Sequence, residues 1–255
     1  MASAGVVSVR QYCFSRGGYC GQTGGVSEVK ITVLMPAFNE CRTIQSILER
    51  VLSEPVVGEF IIVDDGSTDG TREYLSSVTD KDDRIQVIFH EQNQGKGAAI
   101  RTALAHANCP ISIIQDADLE YSPSDYPAVI QPIVDGQTKV SYGSRVLKES
   151  NHIPLDWFRV GSFLVTQATN LLYGTRLTDE PTCYKAFDTA FLRSLPLEAT
   201  GFELCPELTA WTSKRGETIT EVPIGYAKRT VAEGKKIRWQ DGFIAIATLA
   251  RIRFK

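Results

Sequence analysis

Short, almost unbroken apolar runs return at regular intervals through the first 145 residues, and stretches with helical spacing separate them. The runs are Lys30 to Met35, Phe60 to Val63, Ile85 to Phe89 and Ile111 to Gln115, with Lys139 to Tyr142 as a fifth. Runs this short and this continuous read as strands buried on both faces. Between the first two, Ile44, Ile47, Leu48, Val51 and Leu52 repeat at the i, i+3, i+4, i+7 and i+8 positions of one helical face. Asn39 is a candidate cap for that helix, and Thr68 or Asp69 for the next, through Tyr74 and Leu75. Further helices are expected from Ala98 to Ala107, after Gly95-Lys96-Gly97, and from Pro123 through Ile130. Strand alternating with helix implies an α/β domain around a mostly parallel, doubly wound sheet.

In such a sheet ligands bind beyond the carboxyl ends of the strands. The polar clusters fall there: Pro36 to Glu40, Asp64 to Ser67, and Asp116 to Glu120. Asp116 and Asp118 stand one residue apart where the fourth strand should stop. Residues i and i+2 of an extended chain share a side, and two carboxylates that close repel unless a cation lies between them. A hard divalent ion with oxygen ligands, Mg²⁺ or Mn²⁺, suits them, and such an ion commonly carries substrate phosphates. The alternative is a turn with two solvated aspartates. The spacing of a P-loop is absent, as is a G-x-G-x-x-G after the first strand. Lys96, near a helix start, either attracts phosphate or is a surface lysine in a glycine turn.

Composition narrows the partners. The net charge is −3 and the isoelectric point about 5.7, which argues against a nucleic-acid partner. No stretch approaches the roughly 20 apolar residues that span a bilayer. The six cysteines, Cys13, Cys20, Cys41, Cys109, Cys183 and Cys205, lack zinc-ligand spacing and read as free thiols in a reducing, cytoplasmic setting. Residues 1–28 are rich in Gly and Ser and carry no acid before Glu28. They read first as a disordered extension and second as a weak targeting segment.

Met35-Pro36-Ala37-Phe38-Asn39-Glu40, Val63-Asp64-Asp65-Gly66-Ser67-Thr68-Asp69-Gly70-Thr71 and Asp116-Ala117-Asp118, in this order, resemble family 2 glycosyltransferases of the GT-A fold. Tyr142-Gly143-Ser144-Arg145, Thr182-Cys183-Tyr184-Lys185, Gly201-Phe202-Glu203 and Glu221-Val222-Pro223-Ile224 are similar to the polyprenyl-phosphate hexosyltransferases, the group that includes dolichyl-phosphate mannose synthases. The resemblance covers about residues 30 to 245. It implies a GT-A catalytic domain over residues 29–234, followed by a C-terminal amphipathic helix over 235–255.

The resemblance also implies roles. Pro36, Phe38 and Glu40 would line the nucleotide pocket, together with Ala117 of the acidic motif. Asp65 would contact base or ribose, and Asp64 would support the loop. Asp116 and Asp118 would hold the metal, with Glu120 where relatives often have Gln. Arg145 and Arg159 would clamp an acceptor phosphate. Arg229 and Lys235 would reach the donor phosphates, as would Lys96 in the phosphate reading. The implied reaction moves a hexose, mannose first and glucose next, from GDP-mannose or UDP-glucose to polyprenyl or dolichyl phosphate with inversion and with a metal. If the acceptor is instead a soluble or saccharide hydroxyl, Asp179 is the candidate base, unless it merely ends a helix. A third reading is a nucleotide-sugar binding protein without turnover.

The C-terminal segment completes the expectations. Six residues between Lys235 and Lys255 are basic and only Asp241 is acidic, with Trp239, Phe243, Ile244, Ala247, Ile252 and Phe254 among them. This pattern suits a helix lying on a membrane surface, with or without an anchoring subunit. The alternative is a last helix docked on the sheet.

Overall fold

The structure is a computed structural model and describes residues 29–151, 156–228 and 239–255. Residues 1–28, Arg229 and Lys235 therefore lie outside the described residues, and so does the start of the expected C-terminal helix.

Among the described residues seven strands form one sheet. In chain order they are β1 (Ile31–Ala37), β2 (Val57–Asp64), β3 (Ile85–Phe89), β4 (Ile111–Ile114), β5 (Val140–Ser144), β6 (Lys185–Asp188) and β7 (Ile219–Pro223). Their order across the sheet is β3-β2-β1-β4-β6-β5-β7. β1 runs parallel to β2 and β4, β2 to β3, and β5 to β7. β6 is antiparallel to both its neighbours, β4 and β5. The expectation of a mostly parallel α/β sheet holds, with one reversal. The motif Thr182-Cys183-Tyr184-Lys185 reads as a strand in sequence, but β6 begins only at its last residue, because the chain is still turning through Pro181 and pairs with β4 only from Ala186 on.

Among the described residues there are eight helices, packed on the sheet or on one another: α1 (Ile44–Leu52), α2 (Thr71–Val78), α3 (Lys96–His106), α4 (Tyr126–Val134), α5 (Trp157–Tyr173), α6 (Thr189–Ser194), α7 (Leu204–Lys214) and α8 (Trp239–Phe254). Alternation along β1 divides its side chains between two cores. Ile31, Val33 and Met35 face Ile44, Ile47, Leu48 and Val51 of α1, whereas Leu34 joins Ala99, Ile100 and Ala103 of α3 and Leu204 and Leu208 of α7. A third, smaller core lies away from the sheet. Val165 of α5, Ala210 of α7, and Ala245, Leu249 and Ile252 of α8 meet there. The C-terminal helix thus docks on two helices rather than on the sheet, and the Tyr173 hydroxyl donates to the Leu249 carbonyl at 2.7 Å.

Two expected caps are corrected. Asn39 does not cap α1, whose N-cap is Thr43. Instead Asn39 takes a positive φ of 52°, and its Oδ1 accepts from the Thr68 amide at 2.8 Å, tying the β1 and β2 loops together. The N-cap of α2 is Gly70, while the Asp69 carboxylate accepts from the Thr71 amide at 3.1 Å. At the start of α3, Gly95 has φ 96°, and a Cβ there would lie 2.3 Å from the Thr200 carbonyl. Glycine is therefore required where the segment before α7 closes on the start of α3.

Candidate active site

β1, β2 and β4 all deliver their carboxyl ends to one cavity of about 800 Å³. Pro36, Phe38 and Glu40 border it from the β1 side, Asp65 and Lys96 from the β2 and α3 side, and Asp116, Ala117, Asp118 and Glu120 from β4. Arg145, Arg159 and Asp179 complete the set. Every site residue expected from the sequence and described here lines this cavity except Asp64. That carboxylate is fully buried behind it, held by the Arg72 Nε at 2.7 Å and the Ser67 amide at 3.3 Å.

Asp65 is buried and fastens the loop before α3. Its Oδ1 accepts from the Gln94 amide at 2.9 Å and lies 2.7 Å from His90 Nδ1, and its Oδ2 accepts from the Gly95 amide at 2.8 Å. This anchoring aims the next residue, Lys96, into the cavity. The reading of Lys96 as a surface lysine is corrected: its side chain is 10% exposed, and Nζ lies 2.5 Å from Asp116 Oδ1 and 3.1 Å from Cys183 Sγ. Burial would lower the ammonium pKa, but the neighbouring Asp116 carboxylate outweighs it and holds it well above the ordinary lysine value.

The turn after β4 is built from within. Gln115 is fully buried and accepts at Oε1 from the Tyr126 and Tyr184 hydroxyls at 2.7 and 2.6 Å, while its Nε2 donates to the Asp116 carbonyl. Leu119 takes a positive φ of 63°, and the Glu120 amide donates to Asp118 Oδ1 at 3.1 Å. A leucine held left-handed between two acidic residues is the local strain often found at functional turns. Tyr226 donates to Glu120 Oε2 at 3.2 Å. The donor set of Asp116 and Asp118 is hard oxygen, as a divalent cation requires. Among the described residues no three His, Cys, Asp or Glu side chains form a ready-made metal cage. The carboxylates fit an ion that completes its shell with diphosphate oxygens, the usual arrangement for Mg²⁺.

On the far wall Arg145 and Asp179 pair with each other. Arg145 Nε donates to Asp179 Oδ2 at 2.7 Å, Nη2 to Oδ1 at 2.6 Å, and the Arg145 amide to Oδ2 at 2.9 Å. Burial alone would raise the Asp179 pKa, but the guanidinium holds it below the ordinary carboxylate value. Asp179 does not end a helix, since α5 stops at Tyr173. Behind the pair, Lys185 is wholly buried, donating to the Glu180 carbonyl at 2.7 Å with Nζ 3.4 Å from the Tyr142 ring centre.

The cavity continues outward between α5 and α8. Trp157, Phe163, Gly242 and Ala245 line this arm. Around it Trp157 is 89% exposed, Phe163 60%, Leu171 86% and Phe243 68%. Arg159 belongs to this arm, in the first turn of α5, whose N-cap Asp156 accepts from the Arg159 amide. Among the described residues no helix is long and apolar enough to cross a membrane.

The sequence gives no sign of the contributions of Tyr226, Gln115, Cys183 and Glu180. The α5 spacing of Trp157, Val160, Phe163, Leu164 and Leu171 was a readable signal for its exposed apolar stripe.

The sequence signature described as "Glycosyl transferase family 2" matches residues 32–195. The UDP-N-acetylglucosamine–dolichyl-phosphate N-acetylglucosaminyltransferase of Methanococcus voltae is 31% identical over 81% of this chain and 90% of its own length. The undecaprenyl-phosphate mannosyltransferase of Micrococcus luteus is 24% identical over 81% of this chain and 87% of its own. A dolichyl-phosphate hexose transferase of Haloferax volcanii is 28% identical over 78% of this chain and 83% of its own. Glucosyl-3-phosphoglycerate synthase from Mycobacterium tuberculosis, solved with uridine diphosphate, superposes with a TM-score of 0.71. That match covers 94% of this chain and 87% of the solved one, at 22% identity. The same enzyme with Mn²⁺, uridine diphosphate and glucosyl-3-phosphoglycerate gives 0.67 at 23% identity, over 93% and 87% of the two chains. The fold is GT-A.

Proposed function

The chain belongs to glycosyl transferase family 2, and we propose that it transfers a hexosyl group from a nucleoside-diphosphate sugar to a polyprenyl phosphate, with inversion. The observation that carries this reading is the shape of the cavity. Its inner end is ionic, with Asp116, Asp118 and Lys96, and its outer arm is apolar and opens between α5 and α8. An acceptor that is an anion at one end and a hydrocarbon at the other matches both. The names of the relatives support the same acceptor class.

In this reading Asp116 and Asp118 hold the divalent cation, Mg²⁺ or Mn²⁺, with Glu120 beside them. The cation supplies positive charge to neutralise the departing nucleoside diphosphate. Lys96 exchanges Asp116 for a donor phosphate oxygen. Pro36, Phe38, Glu40 and Ala117 wall the nucleotide, while Asp64 and Asp65 keep its loops in place. Arg145 and Arg159 receive the acceptor phosphate. Arg145 gives Nε and Nη2 to Asp179, which fixes the guanidinium plane, and Nη1 is not used in that pair. A phosphate monoester has a second pKa near 6 and is already an anion at neutral pH, so it needs orientation more than a base. Its oxygen attacks the anomeric carbon in line as the bond to the diphosphate breaks, which inverts the configuration.

The lowered pKa of Asp179 works against the hydroxyl-acceptor alternative. A carboxylate saturated by a guanidinium has little affinity for a proton. Mannose remains the donor sugar of first choice by resemblance and glucose the next, with N-acetylglucosamine beside them because a relative carries that name. The protein would work at a membrane surface, on its own or with an anchoring subunit.

The test is a transfer assay with GDP-mannose, UDP-glucose and UDP-N-acetylglucosamine against a polyprenyl phosphate, with and without Mn²⁺. Cation-dependent product with one donor is expected. Asp116→Asn should cut the rate by on the order of 10²-fold or more, because it removes the charge that holds the cation. Transfer to a soluble hydroxyl but never to the lipid phosphate would overturn the reading.

A further inference from the structure

One side chain of the cavity touches both the donor end and the acceptor end. Tyr226 lies just beyond the end of β7, half-buried in the cavity wall. Its hydroxyl donates to Glu120 Oε2 at 3.2 Å, on the acidic turn after β4. Its ring faces the Arg145 guanidinium, whose central carbon is 5.2 Å from the ring centre.

The main chain around Tyr226 is laced to the same two segments. The Ala227 amide donates to the Glu120 carbonyl at 2.9 Å. The Tyr226 amide donates to Asn151 Oδ1 at 3.1 Å, and Asn151 Nδ2 donates in turn to the Arg145 carbonyl at 2.7 Å. The Gly225 amide donates to Asp125 Oδ2 at 2.8 Å, at the start of α4. The Tyr121 ring packs on the Tyr226 ring with centres 5.6 Å apart. Backbone and ring are therefore both held, and Tyr226 stands as a fixed spacer between Glu120 and Arg145.

The two contacts make different demands. An aromatic face attracts a cation lying over it without using the N–H groups of that cation. The stack thus leaves the edges of the guanidinium to Asp179 and to an incoming phosphate. A carboxylate has two oxygens with several lone pairs, so Glu120 can keep the phenol at Oε2 while it serves a cation. Ordering Glu120 orders the Tyr226 hydroxyl, and ordering the ring orders Arg145. A group already ordered by one ligand costs the second ligand less, and by linkage the gain is the same in either direction.

We propose that Tyr226 is a positioning residue that couples the cation end of the cavity to the acceptor-phosphate end. A divalent ion that steadies Glu120 settles the ring on Arg145. A phosphate on Arg145 settles the hydroxyl on Glu120, so each ligand binds more tightly when the other is present. The lipid phosphate is then gripped best once the cation and its nucleotide are in place. The roles of Glu120 and Arg145 rest on the proposed function; the contacts of Tyr226 with both do not.

The experiment measures Mn²⁺ binding to the full-length chain by the electron paramagnetic resonance signal of the free ion, with and without geranyl phosphate. A protein-free blank subtracts direct association of the ion with the phosphate. Geranyl phosphate should tighten Mn²⁺ binding about fivefold, the low end of ordinary coupling between two sites. Tyr226→Phe keeps the ring and loses the hydroxyl. It should abolish most of that factor while the melting temperature and the affinity for geranyl phosphate alone stay near native. Tyr226→Leu, as a second variant, removes the ring as well and should also weaken geranyl phosphate binding measured without Mn²⁺. A purely structural tyrosine would lower the melting temperature and leave the coupling factor as it was. No coupling in the native chain, or a native factor kept by Tyr226→Phe, overturns the inference, and the proposed function stands if the native chain still transfers. Coupling that Tyr226→Phe loses, in a chain that transfers to no lipid phosphate, overturns the proposed function and keeps the inference. A chain that binds neither Mn²⁺ nor geranyl phosphate overturns both.

Discussion

The ammonium of Lys96 sits 2.5 Å from Asp116 Oδ1, so a fixed cation of the protein already neutralises one of the two carboxylates assigned to a metal. Lys96 and the metal then compete for Asp116 until a nucleotide offers the lysine a phosphate. Lys96→Ala should therefore tighten Mn²⁺ binding to the free protein in calorimetry. The same variant should weaken nucleotide-sugar binding roughly tenfold, the worth of one charge-assisted hydrogen bond. Mn²⁺ affinity that falls in the variant would show that the lysine supports the ion rather than displacing it.

Asp179 is buried and the Arg145 side chain is only 15% exposed, and each is the other's main partner. Asp179→Asn leaves a guanidinium in the wall without its counter-charge, a loss of about 3–5 kcal/mol for a broken buried pair. Urea denaturation measures it. The pair Asp179→Leu with Arg145→Met should recover much of that stability yet lack transfer. Recovery of transfer as well would remove Arg145 from the acceptor site.

Stability should fall in acid. The carboxyls of Asp69 and Asp82 are each held at about 2, and that of Asp179 below its ordinary value. Desolvation opposes this at Asp69 and the Thr71 and Cys41 hydrogen bonds outweigh it; at Asp82 the Arg84 hydrogen bonds lead. A folded pKa below the unfolded one means stability present above pH about 4 and lost as pH drops toward about 2. Glu180 acts oppositely, because burial raises its pKa, and its share declines as pH rises past about 4. Unfolding followed from pH 7 to pH 2 should show the acid-side decline. Asp69→Asn should flatten it; an unaltered slope would assign the decline to other carboxyls.

The apolar arm has its own consequence. Trp157→Ser with Phe163→Ser removes exposed surface from α5 and should reduce sedimentation with anionic liposomes severalfold, with little change in melting temperature because neither side chain is in a core. Arg251→Glu with Arg253→Glu should weaken the same binding at low salt, since both arginines are exposed on α8. Liposome binding that survives both double variants would place the contact on another face.

Sequence alone determined the alternation of strand and helix, the parallel half of the sheet, and the end of the sheet at which the site is built. These follow from local periodicity: a short, nearly continuous apolar run favours a strand covered on both faces, as β1, β2 and β4 are, although the edge strand β3 is half open to solvent, and the polar residues after such a run fall at the strand's exit. It also placed Asp116 and Asp118 at the exit of β4 and the apolar face of α1 on the sheet. Tertiary structure decided which of those residues touch. That β6 runs backwards between β4 and β5, that α8 packs on α5 and α7, that Lys96 pairs with Asp116 and Arg145 with Asp179, are contacts between segments far apart in the chain. No periodicity encodes them. Burial and charge neutralisation select such partners only after the sheet has brought the loops to one place.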